Sequence, residues 1–463
     1  MKAGSGPVDR HAEGILPLPD RASPSLSYSV EAGYPQQELS IAPILCCPEW
    51  RDAAHAPRRA ALALGAAAVV ARPRLAAEQA ASPGVSPVTA GVALASPANV
   101  AAEPGSGLLL ARFSFEDPLP RRAPWRRRPP DDPALRQLAQ WVGRGRAAGN
   151  VGDLYDNRDR GHSRLAAPER PQLAFVVYDP VLGAAGLDYG LNWRLGFDAI
   201  AFGNSSTALT SGPMWRSHPR LAMSDPLRMA GLAALSRTNQ IYVYPEHRDH
   251  DPENGDLFPA AIPYLLISQG YSGSDRPFLV AIEAALAALK PDVKPWLAER
   301  GLIAPTLQML VRRSMRGIAT DADYMSGAAH PSAFDGAAID LDRLLRRANA
   351  LTRDTAPPAP ALRVIEEPDP QAGLPVEGLS ERLFDTHAAV ARVARGPAFT
   401  RRYVLEAFAL GAGARPARFH WRALRGAARI APLDAEGLRA AVEIDWQASV
   451  AVPGRPDMVS TAE

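Results

Sequence analysis

Four short apolar runs, each followed by a polar or glycine-rich stretch, dominate the middle of the chain. They cover residues 172–178, 199–202, 241–244 and 264–268, and each has the length of a buried strand. Helices are predicted mostly afterwards, at residues 134–146, 277–289, 293–299, 305–315 and 341–351. Strands mixed with helices that concentrate late predict an α/β or α+β central domain, which we assign to residues 106–352.

Composition excludes several classes of protein. Cys46 and Cys47 are adjacent and are the chain's 2 cysteines, which argues against a disulfide framework, a cysteine metal site or a cysteine nucleophile in the central domain. A formal net charge of +2 gives no argument for a nucleic-acid partner. No apolar run reaches the roughly 18 residues of a membrane span. We find no glycine-rich phosphate loop or dinucleotide fingerprint, so no nucleotide cofactor is expected.

The N-terminal region carries the parts of an export signal. Arg58-Arg59 precedes an apolar stretch of small residues at 60–71, and the pair resembles a twin-arginine signal. The resemblance implies an exported, periplasmic or extracellular protein that folds before it crosses the membrane. Residues 1–56 are then an extension outside the native fold, and residues 57–105 are the export signal with a flexible lead-in. The alternative is an Ala-rich amphipathic or disordered segment.

A first candidate site is the stretch 149–163, interpreted as one loop bounded by glycines. It contains Asp153, Asp156, Asp159 and His162, and closely spaced carboxylates supply the oxygen ligands that calcium needs. The spacing differs from that of the helix-loop-helix calcium site. In the alternative interpretation the acids pair with neighbouring arginines in an ordinary turn.

A second candidate site is the loop 246–256, which follows the strand predicted at 241–244. His247 and His250 lie there with Asp249 and Asp251, a combination that suits zinc or another divalent metal. The alternative is an exposed charged loop. If both acidic loops face one cleft, a site becomes the better interpretation.

A third candidate is Ser272, within Gly270-Tyr271-Ser272-Gly273-Ser274. The segment resembles the nucleophile elbow of α/β-hydrolases, in which a serine lies on a strand-to-helix turn. Ser274 replaces the second glycine, and the helix is predicted to begin late. His330, with Asp321 or Asp323, would complete the chain order of a serine triad. The alternative is a loop in which Asp275 caps the following helix.

A polar segment at 202–216 suggests ligand binding. It contains Asn204 and is flanked by Trp193 and Trp215, and small polar groups beside aromatic faces are typical of carbohydrate recognition. The same composition is typical of an exposed loop.

The C-terminal region changes to a period of two residues. A linker is expected at 353–400, and strands are predicted at 403–410, 418–424 and 439–446 within a β module at 401–463. Phe419-His420-Trp421 resembles the aromatic-x-Trp strand of polycystic-kidney-disease-type immunoglobulin-like modules. The resemblance implies an all-β sandwich that serves as a spacer or binder. The family's Gly-Asp-Gly turn is missing and the chain stops one strand early, which predicts a truncated sandwich.

Taken together, these patterns predict an exported hydrolase that acts on an extracellular or periplasmic polymer. His162 or His250 would be the general acid/base, while Asp156, Asp159, Asp249 and Asp251 would orient a water or a divalent metal. The predicted ligands of a calcium or zinc ion are Asp153, Asp156, Asp159, His247 and Asp251. Two alternatives stay open: a non-catalytic carbohydrate- or surface-binding protein with a structural calcium, and a serine hydrolase that uses Ser272.

Overall fold

A computed structural model describes the larger part of the chain downstream of residue 83. The described residues are 84–104, 106–115, 139, 152–167, 170, 172–208, 226–247, 265–368, 381–393, 400–411, 417–424, 428–445, 451–452 and 455–459. The N-terminal extension, the predicted twin-arginine signal and nearly all of the helix predicted at 134–146 lie outside the described residues.

The central domain mixes helices and sheets. Strands β1 to β11 are Ser86–Pro87, Val92–Ala95, Val100–Ala102, Leu109–Ala111, Phe113–Ser114, Asp153–Asn157, Leu173–Tyr178, Leu195–Phe197, Ala201–Asn204, Gln240–Pro245 and Leu265–Ser268. Helices α1 to α7 are Pro180–Ala184, Pro226–Arg237, Arg276–Ala288, Val293–Glu299, Ile303–Arg313, Asp321–Tyr324 and Leu341–Ala350. The helices predicted at 277–289, 293–299, 305–315 and 341–351 are confirmed to within about two residues.

A six-stranded sheet forms the centre of this domain, in the order β11-β10-β9-β6-β7-β2. Every neighbouring pair in it is parallel. From β6 the chain adds β7 on one side and then crosses back to build β9, β10 and β11 on the other side. The boundary between β6 and β9 is therefore a topological switch point, the place where doubly wound sheets commonly bind ligands.

The sheet is covered on both faces, as a parallel sheet requires. On one face, Tyr155, Phe202 and Val243 pack in a cluster with the apolar sides of α3, α5 and α7. On the other face, Tyr242 and Tyr244 pack in a cluster with residues of α2. Among the helices that the structure describes, none has the length and apolar character needed to cross a membrane.

Two sequence interpretations of the central domain were wrong. Residues 86–102 form three strands, and β2 pairs with β7 at the edge of the main sheet, so this segment is not a flexible lead-in. The stretch 149–163 is not one loop, because Asp153–Asn157 is the central strand β6. The small residues of 86–102 and the two aspartates of β6 make the hydrophobic pattern of a strand difficult to recognise in the sequence.

The C-terminal region contains a four-stranded antiparallel sheet in the order β12-β15-β17-β16. Strands β12 to β19 are Ala359–Glu366, Glu381–Asp385, Val390–Val393, Thr400–Leu410, Ala428–Pro432, Arg439–Asp445, Ala451–Val452 and Arg455–Val459. The linker expected at 353–400 thus contains three strands. Residues 418–424 are not a strand, which corrects the prediction for Phe419-His420-Trp421. The immunoglobulin-like sandwich itself stays a prediction.

Candidate active site at the carboxyl edge of the parallel sheet

Four chain segments meet at the carboxyl edge of the parallel sheet. They are residues 158–164 after β6, 205–208 after β9, 246–247 after β10 and 269–275 after β11. Because these strands are parallel, the ends of all four lie on one side of the domain. The predicted site residues Asp159, His162, His247 and Ser272 belong to these segments.

Amide side chains fix the first segment across the switch point. The carbonyl oxygen of His162 accepts hydrogen bonds from Asn157 Nδ2 at 2.8 Å and from Asn204 Nδ2 at 3.3 Å. Asn204 Nδ2 also donates to Asp275 Oδ2 at 2.8 Å, which ties the segment before α3 to the same point. Tyr155 Oη donates to Asn204 Oδ1 at 3.0 Å, and burial raises the pKa of Tyr155 to about 12. The tyrosine is therefore a permanent donor near neutral pH.

A buried ion pair lies beneath this edge. Asp156 Oδ2 accepts from Arg158 Nε at 2.5 Å and from Tyr242 Oη at 2.6 Å, while Oδ1 accepts from Tyr178 Oη at 2.9 Å. Arg158 further donates to the carbonyl oxygens of Asn192 and Leu195. Burial by itself lowers the pKa of Arg158, but the charge of Asp156 together with Tyr178, Tyr242 and the hydrogen bond to Asp156 raises it above its ordinary value. Both carboxylate oxygens of Asp156 are thus engaged in a charged structural cluster.

Asp159 is the carboxylate that faces the switch point with a free oxygen. It is 4% exposed, and its Oδ1 accepts from Ser206 Oγ at 2.6 Å. Its buried Oδ2 has no hydrogen-bond partner among the described residues and lies 3.8 Å from His162 Nδ1. Burial raises the pKa of Asp159 above the ordinary value for an aspartate. The His162 side chain is 66% exposed, so much of the imidazole ring faces solvent.

Backbone strain accumulates at the same edge. Three residues other than glycine have positive φ angles there: Arg160 at 50°, Ser163 at 55° and His247 at 50°. Residues other than glycine rarely adopt this region of backbone conformation. Ser163 Oγ and His247 Nε2 are buried without a hydrogen-bond partner in the described part of the chain. Strained backbone and unsatisfied polar atoms both cost folding free energy and concentrate at functional sites.

The structure separates the predicted metal ligands. Asp153 begins β6, at the opposite end of the strand from Asp159, and accepts a hydrogen bond from buried Lys294 at 2.7 Å. Asp156 is engaged by Arg158. Asp159 and His247 lie at the carboxyl edge. Asp249, His250 and Asp251 lie outside the described residues. Within the described ranges, no three His, Cys, Asp or Glu side chains are grouped as a metal site would require.

The residues of the serine-hydrolase prediction lie in the turn before α3 and in the segment around α6. Ser272 is exposed in a turn that precedes α3, and the helix begins four residues later, at Arg276. Asp323 caps α6 through Thr320, Asp321 accepts from Arg313, and His330 Nε2 lies 2.9 Å from the carbonyl oxygen of Tyr324. The contacts described for these acidic and His residues are therefore with Thr320, Arg313 and Tyr324.

The predicted carbohydrate contacts are also distributed differently from what the sequence suggested. Asn204 is fully buried and serves the hydrogen-bond framework described above. Trp193 packs against Gly231 of α2, where an added Cβ would lie 2.4 Å from the indole ring. Trp215 lies outside the described residues. The described part of this segment is thus a buried framework.

Sequence reasoning missed Ser206, whereas the alternative in which the acids pair with neighbouring arginines holds for Asp156 and Arg158. Ser206 stands two residues after β9, and its position after a parallel strand was the available indication. Its hydrogen bond to Asp159 joins residues 47 positions apart, which no local pattern reveals.

Comparison of the chain with protein-family models, with curated proteins and with solved structures gives no significant match.

Proposed function

We propose that this protein is a hydrolase whose reaction centre is formed by Asp159, His162 and Ser206 at the switch point of the parallel sheet. The observation that carries the proposal is the buried Asp159 carboxylate, fixed by Ser206 on one oxygen and open toward the exposed His162 on the other. A buried carboxylate beside one imidazole nitrogen, with the second nitrogen accessible, is the arrangement of a general base and its orienting group.

In the proposed reaction, Asp159 Oδ2 accepts a hydrogen bond from Nδ1–H of His162. The 3.8 Å separation shortens on substrate binding, as catalytic hydrogen bonds commonly do. His162 Nε2 then removes a proton from a water molecule while the water oxygen attacks the scissile linkage. The bond to the leaving group breaks, and the leaving group takes the proton from the imidazolium. Asp159 stabilises the positive imidazole throughout.

The substrate and the setting follow the hypothesis formed from the sequence. The substrate is an extracellular or periplasmic polymer, and the chain reaches it by export through the signal at Arg58-Arg59. The C-terminal β region serves as an immunoglobulin-like spacer or binder. In a metal-assisted version, Asp159 and His247, the two predicted ligands that lie at the carboxyl edge, would contribute to holding calcium or zinc, and elemental analysis of the purified full chain tests it.

The test is release of soluble products from a panel of polysaccharides, murein and polypeptides by the purified full chain. Asp159→Asn and His162→Gln should each lower the rate by about 10²- to 10⁴-fold, the usual contribution of general acid–base catalysis. Asp342→Asn is the matched control, because Asp342 lies exposed on α7 and pairs with Arg346. The control should keep the full rate.

Ser206 separates two versions of this chemistry. If Ser206 only orients Asp159, Ser206→Ala should lower the rate less than His162→Gln does, and a fluorophosphonate probe should not label the protein. Labelling at Ser206 would replace water by serine as the nucleophile, and labelling at Ser272 would favour the serine-hydrolase alternative. Full activity of both Asp159→Asn and His162→Gln on a cleaved polymer refutes the proposed centre.

A further inference from the structure

A cavity of about 410 Å³ lies between the central domain and the C-terminal sheet, away from the carboxyl edge. Its walls come from α5, the segment 324–330, the start of β12 and the segment 419–424. The volume falls within the range of about 300–1,000 Å³ that small-molecule sites occupy. Apolar side chains form much of the lining, among them Met309, Met325, Leu362, Phe419 and Trp421.

The wall built by residues 419–424 is fixed in place. Trp421 Nε1 donates to the carbonyl oxygen of Gly437 at 2.7 Å, and the backbone N–H of Phe419 donates to Glu436 O at 2.8 Å. Gly437 has φ of 70°, and a Cβ there would lie 2.2 Å from the carbonyl oxygen of Phe419. Because these contacts use the one polar atom of the indole, Trp421 has only apolar ring surface left to offer a ligand.

The charge of the lining has one sign. Arg312, Arg313 and Arg422 line the cavity, and none of its described lining residues is Asp or Glu. Arg312 is buried, at 7% exposed, while Arg422 is exposed. Arg313 bonds Asp321, which does not line the cavity, and its guanidinium lies 4.0 Å from the centre of the Tyr324 ring. An apolar interior with cationic groups at its wall suits a ligand that is apolar over most of its surface and carries one negative charge.

We propose that this cavity binds an amphipathic anion, a hydrocarbon or aromatic body with a single carboxylate or similar anionic group. The apolar body contacts Met309, Leu362 and the ring of Trp421, and the anionic group faces the arginines. The proposal is independent of the reaction proposed at Asp159, because none of the cavity's lining residues belongs to that centre.

Three probes of equal chain length test the proposal by isothermal titration of the full chain: decanoate, decan-1-ol and decylammonium. Decanoate should bind with a stoichiometry near one and at least about 10-fold more tightly than the other two, the lower end of what one charged hydrogen bond contributes. Met309→Trp, which fills the cavity, should weaken decanoate binding by a similar factor. Far-UV circular dichroism and thermal melting show whether that variant is folded.

Arg422→Glu is the second test variant, for the case that Met309→Trp does not fold. Because Arg422 is exposed, its replacement should leave the fold intact. It should weaken decanoate and strengthen decylammonium. Arg112→Glu is the matched control, since Arg112 is exposed and is not part of the lining, and it should leave both affinities unchanged. Equal binding of the three probes, no binding of decanoate, or decanoate binding that Arg422→Glu and Met309→Trp leave intact would each overturn the proposal.

Discussion

The buried pair of Asp156 and Arg158 allows the sharpest stability prediction. Their side chains are 0% and 1% exposed, and Asp156 also accepts from the hydroxyls of Tyr178 and Tyr242. Asp156→Ala leaves the guanidinium buried with carbonyl acceptors but no counter-charge, and it leaves both hydroxyls without their acceptor. Removing one partner of a buried pair costs about 3–5 kcal/mol, and we expect the upper half of that range here.

Removing both charges together should cost less than the two single changes predict. In Asp156→Leu with Arg158→Met, no isolated charge is left in the interior. The coupling energy between the two positions should therefore be at least about 2 kcal/mol, at the high end for contacting residues. The measurement is urea unfolding of Asp156→Leu, Arg158→Met and the double variant, followed by far-UV circular dichroism with refolding checked.

The exposed pair of Asp342 and Arg346 on α7 is the control for this cycle. Its side chains are 45% and 62% exposed, and its N–O distance is 2.7 Å, close to that of the buried pair. Asp342→Ala should shift the unfolding midpoint much less than Asp156→Ala does, because an exposed i,i+4 pair in the first turn of a helix contributes little. If Asp156→Ala shifts the midpoint no more than Asp342→Ala does, the argument from burial is refuted.

Three further predictions concern single positions. Burial raises the pKa of Asp159 above its value in the unfolded chain. Between the two pKa values the folded chain keeps a proton that the unfolded chain has lost, so the free energy of unfolding falls as pH rises through the folded-state pKa. Asp159→Asn should therefore raise the melting temperature at pH 7, with no gain below about pH 3.9, where both forms are neutral. Burial, with Arg237 nearby, lowers the pKa of His387 to about 3, so stability falls as pH drops from about 6.5 toward that value, and thermal melts of His387→Gln should show a smaller loss between pH 7 and pH 4. Gly437→Ala should cost more than about 1 kcal/mol in urea unfolding because of its φ of 70° and the contact with Phe419, and a neutral effect would contradict that geometry.

The sequence predicted the late helices well because their formation depends on local features. In α3, Pro277 stands in the first turn and apolar residues recur on the side that packs on the sheet. Strand β6 was missed because two of its five residues are aspartates. Their partners are distant or cross-strand: Lys294 is 141 residues from Asp153, and Tyr242 is 86 residues from Asp156. A buried charge is compatible with a strand only when such partners exist, and a single sequence does not show them.

The C-terminal region was misread for a related reason. Residues 418–424 alternate polar and apolar side chains as a strand would, yet Phe419 and Trp421 bond to the turn at Glu436 and Gly437 without joining the sheet. Strand β16 is half-exposed at the sheet edge and contains Pro432, so its composition did not predict a strand. Period-two alternation shows which side chains share a face, and the strand pairing itself depends on residues that meet only in the fold.

Asp156 and Asp159 show how neighbouring carboxylates acquire different roles in one fold. Both are buried, and they lie three positions apart in the chain. Asp156 lies within β6, where a guanidinium and two tyrosine hydroxyls occupy its oxygens, so its charge stabilises the sheet and is closed to chemistry. Asp159 lies just beyond the strand end, where the chain has turned toward Ser206 and left one oxygen unsatisfied beside His162. Two carboxyl groups whose environments differ in this way commonly divide structural and acid–base roles, and this contrast supports the proposal that Asp159 takes part in the reaction.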